Sequence, residues 1–373
     1  MKLFLILLLA ASLRVWNLPK RMVFLADQGR DMLKAYELYT ARRLTLLGPA
    51  SSQGNFFFGP VYYYLITPGL VLAKWHPIGA SLTVILIDLL GLYFLFHLTR
   101  SLLIALIYAT SPLFIHWSQS ALNPFFIPGL TAIFLFCLSR RRWLLAGVLA
   151  GVIAQLHYAA AILAVFIFKP IFLLGWLMGM APMLAFELRH DWFNTRGILA
   201  FLTTPQFRSF NLHYVAVLVP IMFWGAAKIF SRFRILGAII TALIVAMNLM
   251  RLDLNPAQGY TMPENWNLPR TDTAAQLIAQ DVAETNPQSF NVAATLDGDS
   301  RALPLRYLLV SQFRTIPLGV EQYPQAQILY VLTRWDQDTT LRHGLWEISS
   351  FSPQKVSQSW PIYADIKLYR LEK

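Results

Sequence analysis

Long apolar runs separated by short polar turns fill the first two thirds of the chain. They cover 3–17, 58–73, 79–98, 101–116, 125–139, 143–168, 170–186, 214–230 and 235–250. They are apolar on all sides rather than along one stripe. A backbone in lipid has no partner other than itself, so such runs predict membrane-spanning helices. The 143–168 run is long for one helix and carries Gln155 and His157 at its middle, which predicts two short helices meeting there. Leu3–Trp16 has the size of a signal-peptide core, but Arg14 interrupts the place of a cleavage site and many runs follow. An uncleaved first helix is therefore expected.

The pattern changes after residue 250. Thr273–Glu284 reads as a helix, and β-type runs follow at Phe290–Leu296, Ile328–Thr333, Leu345–Ser350 and Ile366–Leu371. The expected fold is a multi-spanning α-helical membrane protein with about nine to eleven membrane helices. Residues 1–250 form the membrane domain, and residues 251–373 form a small C-terminal α/β domain of ordinary domain size.

Composition agrees: 56% of residues are hydrophobic, 13% are charged and the mean hydropathy is +0.50, which excludes an ordinary soluble protein. The net charge of +12 is unevenly held, with 20 Lys/Arg against 6 Asp/Glu in residues 1–250 and 11 against 13 beyond. Arg140–Arg142, and Lys228 with Arg232 and Arg234, mark cytoplasmic turns. Alternating outward from them leaves the C-terminal domain outside. It also exposes a conflict, because 58–73 would begin inside while the loop at Asp27 should be outside. With Gly59-Pro60 and Pro68-Gly69, the 58–73 segment is the one expected to be re-entrant. The excess positive charge has no soluble basic domain behind it, so nucleic acid is excluded as a partner. The single Cys137 lies in an apolar run, so no disulfide framework or cysteine metal cluster is expected.

Three of the six carboxylates before residue 250, Asp27, Asp31 and Glu37, fall in one short stretch after the first apolar run. Carboxylates are costly near lipid, and such a concentration suggests a functional site. The plain reading makes Asp27 the N-cap of a helix over Asp27–Leu44; the functional one makes it a general base or an electrostatic anchor. Tyr62, Tyr63 and Tyr64 follow Gly59-Pro60 and suit either an aromatic belt or substrate contact. His157 has no second His at metal spacing, so no metal site is read from it and a divalent metal has no support in the sequence. Glu187, Arg189 and His190, followed by Asp191, Arg196, Arg208, His213 and Tyr214, group cations that suit a phosphate or diphosphate. The plain reading there is snorkelling. Asp88, alone inside an apolar run, is expected to hydrogen-bond a neighbouring helix.

Taken in order, Arg14, Asp27-Gln28, Arg30-Asp31, Gly59-Pro60 with Tyr62–Tyr64, Ser111-Pro112, Asn123-Pro124, Gln155 with His157, Pro182, and Phe186 to His190 resemble the GT-C glycosyltransferases. The resemblance is to the bacterial relatives grouped with protein mannosyltransferases, aminoarabinose transferases of lipid A and lipopolysaccharide-core galacturonosyltransferases, and it covers roughly residues 1–250. It implies a polyprenyl-phosphate-linked sugar as donor, membrane lipids as surroundings, and a lipid, glycan or protein as acceptor. It implies inverting transfer at the outer face of the plasma (inner) membrane. Asp27 carries over as the acidic residue that activates the acceptor, as general base or by positioning it, with Asp31 as the runner-up base. Arg30, Tyr62, Tyr63, Tyr64, His157, Glu187, Arg189 and His190 carry over as substrate contacts. The chain departs in having Asp27-Gln28 where the family commonly has an acidic pair, and in being short after Arg208. Two other classes stay open. A transporter or flippase for a lipid-linked sugar would show two related halves with broken helices, and no duplication is visible. A non-catalytic scaffold for the C-terminal domain would need no convergence of acidic and cationic groups.

Overall fold

A computed structural model describes residues 1–52, 54–166, 168–203, 212–252 and 265–373; Arg208 lies outside these. In chain order the helices of the apolar part are α1 (Lys2–Val15), α2 (Leu18–Arg21), α3 (Ala26–Thr40), α4 (Val61–Leu72), α5 (Ile78–Thr99), α6 (Leu102–Thr110), α7 (Pro112–Gln119), α8 (Ile127–Ser139), α9 (Trp143–Leu156), α10 (Pro170–Arg189), α11 (Phe193–Thr203), α12 (Val219–Arg232) and α13 (Arg234–Met250). The C-terminal part adds α14 (Leu268–Thr285), β1 (Phe290–Ala294), α15 (Leu303–Ser311), β2 (Ile328–Thr333), α16 (Gln337–Arg342), α17 (Trp346–Ser349), β3 (Lys355–Tyr363) and β4 (Ile366–Glu372).

Among the described residues, Ile78–Thr99, Pro170–Arg189 and Leu212–Arg232 are long and apolar enough to cross a membrane. A fourth span is formed if α6 and α7, bent by 58° at Ser111-Pro112, are taken together. Val61–Leu72, Asn123–Ser139, Trp143–Leu156 and Arg234–Met250 are shorter apolar helices. The long 143–168 run breaks at His157, as expected, into α9 and a 3-10 stretch from Tyr158 to Phe166.

The chain forms two compact units that do not follow the linear boundary at residue 250. One holds Met1–Trp16, Leu38–Gly69 and Ala80–Asp253; the other holds Asn17–Glu37, Leu70–Gly79 and Leu254–Lys373. The acidic stretch thus belongs with the C-terminal domain. The division also bears on segment 58–73. The chain leaves the second unit after Glu37 and returns to it at Leu70. Among the described residues, the helix that begins in that interval is α4, with 12 residues, a length of about 18 Å against a hydrocarbon core of about 30 Å.

Within the first unit, α9 and α10 pack through matched glycines. A Cβ at Gly147 would lie 2.1 Å from the Phe172 carbonyl oxygen, and one at Gly179 2.3 Å from that of Val148. Gly147 with Gly151, and Gly175 with Gly179, form a Gly-x-x-x-Gly stripe on each helix, which lets two backbones touch. Gly179→Leu is expected to force the pair apart, at a cost of about 1–3 kcal/mol or more, read as an earlier thermal transition in detergent.

The same unit buries an ion pair. Arg14 Nε donates to Asp88 Oδ2 at 2.6 Å, the Tyr108 hydroxyl donates to Asp88 Oδ1 at 2.6 Å, and Arg14 Nη1 donates to the Ala109 carbonyl at 3.0 Å. Asp88 is therefore held by neighbouring helices as expected, with a charged partner in α1 that the apolar surroundings of both residues concealed.

The second unit is built on a four-stranded sheet of order β1-β2-β4-β3. The β1–β2 pair is parallel and the β2–β4 and β4–β3 pairs are antiparallel. β1 and β2 are buried along their whole length, as continuous apolar runs require. The run Leu345–Ser350, expected as a strand, instead contains the helical turn α17. Its apolar residues Leu345 and Ile348 pack on the sheet core from a helix, and so short a run carries no period to tell the two apart. Strand β3 begins with the mostly polar Lys355–Ser359 and is interrupted by Pro361 on a half-exposed sheet edge, which hid it from the sequence pattern. Asp281 of α14 accepts from the Tyr330 hydroxyl at 2.5 Å and from Arg370 Nη1 at 2.9 Å, tying helix to sheet.

Candidate functional site

The candidate residues fall into two groups, one in each compact unit. Asp27, Arg30 and Asp31 belong to the unit that contains the C-terminal domain; Tyr62, Tyr63, Tyr64, His157, Glu187, Arg189 and His190 belong to the other.

In the first group, α3 begins at Ala26, so Asp27 is its second residue and not its N-cap. A helix start leaves backbone N–H groups without intrahelical partners. Here the Leu25 N–H donates to Gln28 Oε1 at 3.0 Å, and the Ala26 N–H donates to Asp297 Oδ2 at 2.9 Å. Arg30 bridges both neighbouring carboxylates, Nη1 to Asp27 Oδ1 and Nε to Asp31 Oδ1, each at 2.8 Å. The two acids differ in setting: the Asp27 side chain is 62% exposed and that of Asp31 only 1%. Asp27 is the carboxylate open to an incoming group, while Asp31 anchors Arg30 from beneath. Lys34 and Glu37 pair with each other further along the exposed helix face.

A turn at Asp297–Asp299 supplies the cap. Asp297 Oδ1 accepts from the Asp299 N–H at 3.1 Å, and Gly298 takes φ +79°. Burial pushes the Asp297 carboxyl above its ordinary value, opposed by the N–H groups of Asp299 and Ala26. Burial also raises Asp299, but its hydrogen bonds and ion pair with Arg301 outweigh that and hold it below the ordinary value. A small, largely apolar pocket lined by Phe24, Trp266, Thr271, Leu296, Asp297 and Pro304 lies beside this turn.

In the second group, the three tyrosines do not converge. Tyr62 is buried and its hydroxyl donates to the Ala121 carbonyl at 2.7 Å, Tyr63 is buried, and Tyr64 is exposed with its hydroxyl on the Thr45 carbonyl at 2.5 Å. Successive helix positions point about 100° apart, so three in a row cannot line one wall. His157 caps the end of α9 in an aromatic cluster. Its ring stacks with Phe58, centroids 5.6 Å apart, and with Tyr214 at 5.1 Å, and Nδ1 accepts from the Ala159 N–H at 3.3 Å.

Glu187 is buried and both its oxygens are engaged: they accept from the N–H groups of Asn194 and Thr195, each at 3.0 Å, at the start of α11. Asn194 Oδ1 in turn accepts from the Phe57 N–H at 2.8 Å, and the Phe57 carbonyl accepts from the Tyr158 hydroxyl at 2.5 Å. Glu187 thus starts a chain of hydrogen bonds that holds the aromatic loop before α4, and its carboxylate faces backbone amides rather than open space. Arg189 and His190 are exposed at the end of α10, with the His190 ring stacked on Phe186 at 4.2 Å. Asn194, Tyr158 and Asp297 were missed in the sequence; an Asp-Gly-Asp turn was the one signal available for the last. Among the described residues no three His, Cys, Asp or Glu side chains are grouped to hold a metal ion.

The apolar spans and the four-stranded sheet define a mostly helical membrane protein with a small C-terminal sheet domain. The structure is similar over 98% of this chain, and 97% of that one, to the crystal structure of ArnT from Cupriavidus metallidurans bound to undecaprenyl phosphate, with a TM-score of 0.55 and 12% sequence identity. No protein-family model and no curated protein matches the chain.

Proposed function

We propose that the protein transfers a sugar from a polyprenyl-phosphate-linked donor to an acceptor hydroxyl at the outer face of the plasma membrane, with Asp27 as base or anchor. The observation that carries this reading is the end-to-end GT-C-like fold, shared with a structure whose bound ligand is undecaprenyl phosphate. An exposed carboxylate held by Arg30 at the start of α3 supplies the chemistry. The acceptor oxygen attacks the anomeric carbon from the face opposite the phosphate, and the bond from that carbon to the phosphate oxygen breaks. The configuration inverts, the hydroxyl proton passes to Asp27, and the lipid phosphate leaves as an anion. In the other unit, exposed Arg189 and His190 offer a guanidinium and a ring N–H of the kind that suits a lipid phosphate. Arg30 and Asp31 set the direction of Asp27. Tyr62–Tyr64, His157 and Glu187 contribute by shaping the loop and aromatic cluster. The acceptor is a lipid, a glycan or a protein segment.

The sidedness follows from counting. With segment 58–73 read as re-entrant, alternation puts Arg100, Arg140–Arg142, Lys169 and Arg232–Arg234 on one side and the Asp27 segment with residues 265–373 on the other. The positive-inside rule makes the first side cytoplasmic, so residues 251–373 are an extracytoplasmic domain carried by the membrane domain of residues 1–250.

Lipid extraction of the purified protein tests the reading. Mass spectrometry is expected to find polyprenyl phosphate or its glycosylated form, and added undecaprenyl phosphate is expected to raise the thermal transition, as any ligand selective for the native state does. Bulk phospholipid alone, with no thermal response, is the contrary result.

A further inference from the structure

We propose that the C-terminal domain holds the acidic helix in working geometry, with Asp297 as a positioning residue for Asp27. This rests on the function proposed above.

Helix α3 cannot cap itself. Gln28 supplies one half of a capping box by accepting from the Leu25 N–H, but Leu25, at the N-cap position, has no side-chain oxygen to supply the other half. A further acceptor comes from Asp297, 271 positions further along the chain, on the Ala26 N–H directly before Asp27. The Asp297 carboxylate is aimed by its own turn, through the Asp299 N–H. A second contact fixes the next residues: a Cβ on Gly29 would lie 2.5 Å from the Pro304 nitrogen and 2.6 Å from the Leu303 carbonyl carbon. The first turn of α3 therefore rests directly on the start of α15, an approach open only to glycine. The charge of Asp299, pinned by Arg301, also acts on Arg30, the side chain that holds both Asp27 and Asp31. Cap, backbone contact and electrostatic contact fall on Ala26, Gly29 and Arg30, which bracket Asp27. A domain without a catalytic motif of its own would in this way set where the acidic residue points.

The test uses the full-length protein with Asp297→Ala and Asp297→Asn. Two readouts are taken: transfer from a polyprenyl-phosphate-linked sugar, resolved into kcat and KM, and amide hydrogen exchange over residues 24–32. Asn keeps a neutral acceptor for the Ala26 N–H, and Ala removes it. The Ala variant is expected to lose about tenfold to a hundredfold in kcat, with donor KM within about twofold, and to exchange faster over 24–32. The Asn variant is expected to recover most of both. Gly29→Ala, which leaves Asp297 intact, is expected to reproduce the Ala phenotype. Wild-type exchange and rate in Asp297→Ala would overturn the proposal. So would faster exchange across the whole C-terminal domain with Asn as impaired as Ala, because that marks a general stabilising role. The exchange readout needs no turnover. Faster exchange in Asp297→Ala beside undiminished transfer in Asp27→Asn would leave the docking standing and remove the catalytic reading.

Discussion

Asp27→Asn is expected to lower the initial rate of sugar transfer by about 10²- to 10⁴-fold, the range that a positioned general base contributes. Asparagine keeps the size and one acceptor oxygen of aspartate but cannot take the acceptor's proton. The helix should survive the change. Arg30 retains its 2.8 Å bond to buried Asp31, and the cap on Ala26 comes from Asp297. A carboxylate in the first helical turn contributes only about 0.3–1 kcal/mol through the helix dipole. Loss of rate without loss of the thermal transition therefore separates chemistry from folding. A fall confined to kcat marks a base, whereas a rise in acceptor KM with kcat retained marks an anchor. Asp31→Asn should behave differently, lowering stability and rate together, because it leaves the Arg30 guanidinium without its buried partner.

The second large effect is structural. Asp88→Leu is expected to destabilise the protein by about 3–5 kcal/mol, the cost of stranding one member of a buried ion pair. Arg14 is fully buried, and deleting Asp88 leaves its Nε and the Tyr108 hydroxyl without their acceptor in an apolar interior, where an isolated charge is most costly. The double variant Arg14→Met with Asp88→Leu should recover much of the loss, since it removes the stranded charge as well as its partner. Unfolding of detergent-solubilised protein, followed by intrinsic tryptophan fluorescence, reads both. An unchanged transition in Asp88→Leu would contradict the strength assigned to this network.

Much of the helical architecture was legible because lipid imposes a simple rule: a backbone must satisfy itself, so apolar length marks a helix. The runs 79–98 and 170–186 correspond to Ile78–Thr99 and Pro170–Arg189, and the polar Gln155 and His157 marked a true break. The run 101–116 concealed the bend at Ser111-Pro112 because Pro is tolerated at the first turn of a new helix. At the candidate site, groups close in sequence were the ones that could be placed together. Arg30 with its two aspartates lies within one helical turn and a half, where neighbours in sequence meet in space. It could not reveal partners joined only by folding. Asp297 reaches Ala26 across most of the chain, Glu187 is occupied by Asn194 and Thr195 because α11 turns back on α10, and consecutive tyrosines that look like one patch point in three directions.

The proposed reaction releases a lipid phosphate. Purified protein should therefore be incubated with a labelled polyprenyl-phosphate-linked sugar and an envelope lipid extract, and the free polyprenyl phosphate followed with time. Release matched one-to-one by sugar on an acceptor, and slowed at least about a hundredfold in Asp27→Asn, is the expected result. An intact donor after prolonged incubation with folded wild-type protein, over a range of donor sugars, would contradict it.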